Sequence, residues 1–324
     1  MDKKDLRIVY MGTPDFAVEP LKQLVENDFN IVGVLTNPDK PAGRGQKIQE
    51  SPVKIYAKSK NLNILQPEKF RDENFIDTLK SLNADLQIVV AFKMLPEMVW
   101  SMPRIGTFNL HASLLPQYRG AAPINWALIN GEGKTGVTTF FLKHEIDTGN
   151  IILQQEVDIE PTETAGTLHD KLMFVGAGLV VKTVNLILEG NYTLTEQNDL
   201  TSTELKHAPK IFKNDCLINW NHHLETIYNL IRGLSPYPAA WAELNNKSGE
   251  TIQLKIFKTE KEETKHNHNY GEIITDKKTF LKVAVKGGFI KITELQQAGK
   301  RRMAIDEFLR GFQQIDSFQF STKS

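Results

Sequence analysis

The 324 residues, 40% hydrophobic and 24% charged, suffice for two domains with separate cores and exclude a disordered chain. A single cysteine, Cys216, excludes an internal disulfide, and with neither a cysteine cluster nor an H-E-x-x-H pair no metal site is expected. The 39 Lys+Arg balance the 39 Asp+Glu, which excludes an overall basic nucleic-acid binder, but unevenly: residues 1–205 hold 20 against 26 (net −6) and residues 206–324 hold 19 against 13 (net +6).

The N-terminus passes directly into a strand, Leu6–Met11, without the apolar core of a signal peptide. No apolar run approaches the roughly 20 residues that span a bilayer. A cytoplasmic protein without membrane contact is therefore expected. A tight turn at Gly12-Thr13-Pro14 leads into a helix with Phe16, Val18, Leu21, Leu24 and Val25 at three- and four-residue spacing, then to a second strand, Ile31–Thr36. This βαβ start predicts a doubly wound sheet. Gly12 stands alone where G-x-G-x-x-G would be needed, which argues against a dinucleotide site. Residues Asn37–Lys47 carry two prolines, two glycines and the basic Lys40, Arg44 and Lys47, and read as a loop. A solvated connection is one reading of it; a phosphate contact through Arg44, left unobstructed by Gly43 and Gly45, is the other. Helices are predicted over Ser51–Leu62 and Phe70–Leu82, a doubly covered strand over Asp85–Phe92, and a short helix over Pro96–Trp100.

The stretch Thr107–Gly120 reads TFNLHASLLPQYRG. Its alternation puts Thr107, Asn109 and His111 on one strand face and Phe108, Leu110 and Ala112 on the other. Pro116 cannot supply a ladder donor, so the strand gives way to a loop there. Polar groups at that end of an open α/β sheet lie where ligands bind. A lone strand histidine is ordinarily a hydrogen-bonded structural residue. A second segment, Lys143–Ile152, adds the carboxylate of Asp147 just before a turn glycine and an apolar strand. An amide, an imidazole and a carboxylate together can serve acyl transfer, donating to a developing oxyanion and moving a proton.

Strands are predicted over Val137–Leu142 and Ile151–Val157, and a helix from Thr164 to about Leu188 whose Gly176 and Gly178 allow close packing. Residues 190–208 are polar and aperiodic and read as a linker. A helix over His223–Ile231 ends at Gly233. Alternating segments at 252–257, 271–274, 280–285 and 289–292 suggest a small β-barrel. His266 and His268 lie in a polar stretch and read as a solvated loop. Lys300, Arg301 and Arg302, with Arg310 downstream, read equally as a solvated cluster or as a phosphate-contacting surface.

The motif N-L-H-x-S-L-L-P-x-Y-R-G, the Asp-Thr-Gly after it and features near both ends resemble the folate-dependent formyltransferases over nearly the whole length. The resemblance implies a Rossmann-like, doubly wound catalytic domain (1–189), a linker (190–208) and a smaller OB-like β-barrel domain (209–324) that binds tRNA. It implies Asn109, His111 and Asp147 as the catalytic trio and Ser113, Leu114, Leu115 and Pro116 lining the folate site. The implied reaction moves the formyl group of 10-formyltetrahydrofolate to the α-amino group of methionyl-initiator tRNA, by a monomer needing no metal. The P-A-G-R-G segment resembles the loop that tRNA-directed members insert into the acceptor end. That implies tRNA contact by Lys40, Arg44 and Lys47, with Lys300, Arg301 and Arg302 as further candidates. Two departures from the pattern are Lys93, where many members have glycine, and Ile146, where methionine is usual. Rival readings are a transferase acting on a sugar-nucleotide amine or purine precursor, a formyl-folate hydrolase, and an RNA-binding protein with an inactive transferase domain.

Overall fold

Leu6, Ile8, Val9, Tyr10 and Met11 are without solvent exposure, as a strand covered on both faces requires. They belong to β1 (Arg7–Gly12) and its lead-in, in a computed structural model that describes residues 2–42, 47–200 and 204–322. The chain divides into two units, the first comprising Met1–Gly120, Thr135–Asp158 and His169–His207. In chain order come α1 (Val18–Glu26), β2 (Asn30–Leu35), β3 (Lys40–Ala42), β4 (Lys47–Gln49), α2 (Pro52–Ser59), β5 (Ile64–Leu65), α3 (Glu73–Ser81) and β6 (Leu86–Val90). Then follow α4 (Glu97–Trp100), β7 (Gly106–His111), β8 (Arg119–Gly120), α5 (Pro123–Ile129) of the second unit, β9 (Lys134–Phe141), β10 (Ile151–Asp158) and α6 (Ala165–Glu189).

The central sheet has the order β10-β9-β7-β6-β1-β2-β5. Pairing is parallel from β5 through β2, β1 and β6 to β7, and β9 joins β7 antiparallel. This is the doubly wound sheet read from the sequence. Two helices are shorter than their patterns at both ends, and side-chain caps set where they begin. Ser51 Oγ accepts from the Lys54 amide at 3.1 Å ahead of α2, and Asp72 Oδ1 from the Phe75 amide at 3.0 Å ahead of α3.

The segment expected as a plain loop is a hairpin at its base, with β3 and β4 paired antiparallel through Lys40↔Gln49, Pro41↔Ile48 and Ala42↔Lys47. Asp39 anchors its start, accepting from Lys54 Nζ at 2.5 Å and Gln66 Nε2 at 2.9 Å.

No apolar run of about 20 residues is expected, yet α6 is long and apolar enough to cross a bilayer by length and composition alone. Its apolar residues Leu168, Leu172, Leu179, Val180, Val184 and Ile187 are buried, so its hydropathy is that of a core helix. Of its two glycines, Gly176 lets the helix approach β7: a Cβ there would meet Leu110 Cδ2 at 2.8 Å. Gly178 faces open space and has no such role. Of residues 190–208, read as linker, those up to His207 cluster with this unit, and Gln197 among them is buried.

The second unit comprises Ala121–Lys134, Ile159–Leu168 and Ala208–Ser324. After β11 (His207–Ala208) come α7 (Leu224–Leu234), β12 (Ala240–Asn246), β13 (Thr251–Glu263), β14 (Ile273–Thr275), β15 (Leu281–Val285), β16 (Gly288–Gln297), β17 (Arg302–Ala304), α8 (Ile305–Gly311) and β18 (Phe318–Phe320). The strand order β14-β15-β16-β13-β12-β18, with β17 on β16, is antiparallel and nearly closes on itself: the Phe320 amide donates to the Gly271 carbonyl at 3.1 Å. Trp220, Leu244, Leu254, Ile256, Val283 and Ile292 fill its core.

Gly233 does not terminate α7 but lies inside it, where a Cβ would meet Ile129 Cγ1 of α5 at 2.7 Å. Helix contact overrides the usual stop signal. The strand β12 escaped sequence reading because two of its three inward positions, Ala240 and Ala242, are alanine and only Leu244 is a large apolar residue. His266 is half-buried rather than freely solvated, its Nε2 within 2.9 Å of the Val285 carbonyl and 3.0 Å of the Gly288 carbonyl.

Candidate functional site

The parallel strand β7 delivers Asn109 and His111 to its C-terminal end, with Asn109 opposite Val89 of β6 and Phe140 of β9. Asn109 is half-buried, and among the described residues its side-chain amide makes no hydrogen bond. His111 is buried at 7% exposure, and its Nε2 lies 2.9 Å from the Tyr118 carbonyl. A carbonyl only accepts, so Nε2 carries a proton and Nδ1 is the nitrogen left for exchange. Nδ1 faces Asp147 Oδ2 at 4.0 Å. That is too long for a direct hydrogen bond. The ring is thus oriented by the Tyr118 backbone, which the sequence reading missed, while Asp147 lines the far side of a gap.

Both of His111's neighbours sit on unusual backbone. Tyr118 has φ +60° and Asp147 φ +55°, a conformation in which non-glycine residues are strained and which clusters at functional sites. The Gly120 amide donates to Asp147 Oδ2 at 3.0 Å. Gln197, 3% exposed, donates from Nε2 to the Asp147 and Gly149 carbonyls at 2.8 Å each, and its Oε1 accepts from Arg119 Nε and Nη2 at 2.9 and 2.6 Å. Gly149 is required by space, because a Cβ there would lie 1.6 Å from the Phe141 carbonyl oxygen.

Ser113 to Pro116 form one tightly bonded turn beside β7. Ser113 Oγ donates to the Gln117 carbonyl at 2.7 Å, and the buried Thr138 hydroxyl donates to the Ser113 carbonyl at 2.6 Å and accepts from the Leu115 amide at 3.2 Å. Ser113, Leu115 and Pro116 are buried and Leu114 is half-buried. A cavity of about 530 Å³ opens on the other side of the Asp147 loop, walled by Trp100, Leu142, Lys143, His144, Thr148 and Arg119 among others. None of Ser113–Pro116 lines it. Its volume suits a ligand of cofactor size. The sequence signal for it was weak: an aromatic at the end of a short helix and an apolar residue at the end of a strand.

Comparison with known proteins bears on what such a site does. The family model described as formyl transferase matches residues 6–184, and its C-terminal domain model matches residues 210–313. The chain belongs to the formyl transferase family. A protein of Bacteroides fragilis named methionyl-tRNA formyltransferase is 59% identical over 98% of this chain and 99% of its own length. One from Phocaeicola vulgatus with the same name is 62% identical over 98% and 99%, and one from Flavobacterium johnsoniae 54% over 94% and 96%. Among solved structures, WlaRD, a sugar 3N-formyl transferase, matches with a TM-score of 0.60 at 21% identity over 91% of this chain and 99% of its own. HypX from Aquifex aeolicus in complex with tetrahydrofolic acid matches with a TM-score of 0.62 at 16% identity over 94% and 46%. At those identities the two structures speak for the formyl transferase fold alone.

The remaining positions singled out in this formyl transferase sequence are distributed over both units. Lys40 is exposed on β3, Arg44 lies outside the described residues, and so does the side chain of Lys47. Lys93 is held 4.3 Å over the Phe70 ring. Burial pushes its ammonium pKa down, and the charge of Lys40 adds to that. In the second unit Arg302 forms a two-bond pair with Glu294, both at 2.6 Å, and lies 4.3 Å over the Phe257 ring. Arg301 pairs with Glu307 and Arg310 with Asp306. Lys300 is exposed and its carbonyl accepts from Gln296 Nε2 at 2.6 Å. Much of the local positive charge is therefore matched by acids, in exposed pairs that exchange readily with other anions.

Proposed function

We propose that this protein transfers the formyl group of 10-formyltetrahydrofolate to the α-amino group of methionyl-initiator tRNA, using Asn109, His111 and Asp147. The observation that carries the choice of acceptor is the 54–62% identity, along nearly the whole chain, to proteins named for that reaction. The donor is placed against Ser113, Leu114, Leu115 and Pro116, the turn that directly follows His111 and that Thr138 holds through the Ser113 carbonyl and the Leu115 amide; the cavity walled by Trp100 and Leu142 is lined by none of these residues nor by Asn109, His111 or Asp147. Bound against that turn, the donor supplies the formyl carbon.

The chain's own residues supply orientation, charge stabilisation and proton movement. The Asn109 amide, uncommitted within the described residues, donates to an oxygen gaining negative charge as the amine attacks. His111 takes at Nδ1, the nitrogen facing the gap, the proton that the attacking amine releases, and passes it to the departing nitrogen as the bond from that nitrogen to the formyl carbon breaks, while Nε2 stays anchored on Tyr118. Asp147, across that gap, accepts a hydrogen bond from a group that approaches both side chains. Arg44, with Lys40 and Lys47, contacts the tRNA acceptor end, and the basic second unit contacts tRNA phosphates through Lys300, Arg301 and Arg302.

The test is formyl transfer from labelled 10-formyltetrahydrofolate, with charged initiator tRNA and aminated sugar nucleotides as parallel acceptors. Transfer to methionyl-tRNA alone, lost in Arg44→Ala, is expected. Transfer only to a small amine, or formate release without an acceptor, would discard the tRNA reading.

A further inference from the structure

We infer that Gln197 is a positioning residue for Asp147, holding the acid loop at the distance from His111 that the transfer needs. This rests on the reading that Asp147 acts in formyl transfer. The orientation of the Gln197 amide is decided by its partners. Arg119 offers only donors, so the atom facing its Nε and Nη2, at 2.9 and 2.6 Å, must be the oxygen. The nitrogen then faces the two carbonyls of Asp147 and Gly149, both at 2.8 Å, and gives each a proton. One side chain, 50 residues away in sequence, thereby fixes the backbone on both sides of Thr148.

That backbone needs fixing. Asp147 sits at φ +55°, a conformation an aspartate leaves readily unless its surroundings hold it. Gly149 is pressed against the Phe141 carbonyl, so the loop cannot shift on that side. The same Arg119 that orients Gln197 precedes Gly120, whose amide donates to Asp147 Oδ2 at 3.0 Å. Gln197 and the Arg119-Gly120 pair therefore grip the backbone and the carboxylate of one residue as a unit. With 3% exposure at Gln197, water does not compete for these bonds.

Gln197→Glu keeps size and strengthens the pair with Arg119, but sets a carboxylate oxygen against two carbonyl oxygens. Gln197→Met keeps size without charge and carries the test if the first variant does not fold. Formyl transfer from 10-formyltetrahydrofolate to methionyl-tRNA is measured for wild type, each Gln197 variant, Asp147→Asn and the double variants. The expected result is a fall in kcat of about 100-fold, the scale on which a displacement of about 1 Å in a reacting arrangement slows catalysis. Gln197 also lines the cavity beside the Asp147 loop, so KM is measured for both substrates; the values for methionyl-tRNA and for 10-formyltetrahydrofolate should stay within about twofold, as expected of a residue that acts by orienting Asp147. The double variants should be no slower than Asp147→Asn alone, because Gln197 acts only through that residue. Losses that multiply in the double variants, or a change confined to KM, would mean a general packing role and overturn the inference. Normal kcat in both Gln197 variants with a slow Asp147→Asn would sink the inference and leave the catalytic reading standing. Full activity in Asp147→Asn would remove both.

Discussion

Thr138 is without solvent exposure and its hydroxyl serves three groups at once. It donates to the Ser113 carbonyl at 2.6 Å and accepts from the Leu115 amide at 3.2 Å and from Gln154 Nε2 at 3.0 Å. Thr138→Val keeps the shape and removes all three bonds. Gln154 retains the Leu115 carbonyl at 2.8 Å, so two backbone groups are stranded. Each costs about 1–3 kcal/mol when buried without a partner, giving about 3 kcal/mol for the pair. Divided by a urea slope of about 3 kcal/mol per molar, this lowers the unfolding midpoint of the first unit by about 1 M. Thr138→Ser is the control. It keeps the hydroxyl and loses one methyl group, about 1 kcal/mol, or about a third of that shift. Urea unfolding of the full chain, followed by hydrogen exchange in peptides covering 106–120, reads the first unit specifically. If valine is no more damaging than serine, the hydroxyl does not hold the Ser113–Pro116 turn and the reasoning fails.

His111→Ala should lower kcat by about 10²- to 10⁴-fold, the usual range for an acid–base group, with tRNA affinity by filter binding essentially unchanged; parallel loss of both would undo the role assigned. Asp276, in the β14–β15 turn, has its carboxyl held far below the ordinary aspartate range by hydrogen bonds from the Thr279 hydroxyl and the Thr279, Lys278 and Phe280 amides. A depressed folded-state pKa contributes stability that is present above about pH 4 and lost as pH falls below it. The melting temperature of wild type should therefore drop toward acid more steeply than that of Asp276→Asn, and equal slopes in the two proteins would contradict the assignment.

The sequence by itself determined the fold class and the strand that carries Asn109 and His111, because both rest on local signals. The period-two alternation of β7, the glycine turn after β1 and the long apolar pattern of α6 are each written within a few turns of chain. Asp147 was visible for the same reason, as an acid just before a turn glycine. What holds these groups was not visible. The Tyr118 carbonyl that orients His111 is a backbone atom, and every residue has one. Gln197 lies in a polar stretch without periodicity and meets Asp147 across 50 residues and Arg119 across 78. The basic run 300–302 gave its charge but not its partners, since Glu294 and Glu307 reach it only through strand pairing and helix docking. The apolar composition of α6 could not tell a bilayer from a core, because hydropathy measures the need for burial and not what provides it. Only tertiary structure decided these points: hydrogen-bond partners and buried neighbours are properties of distance in space, which the spacing of residues along the chain does not encode.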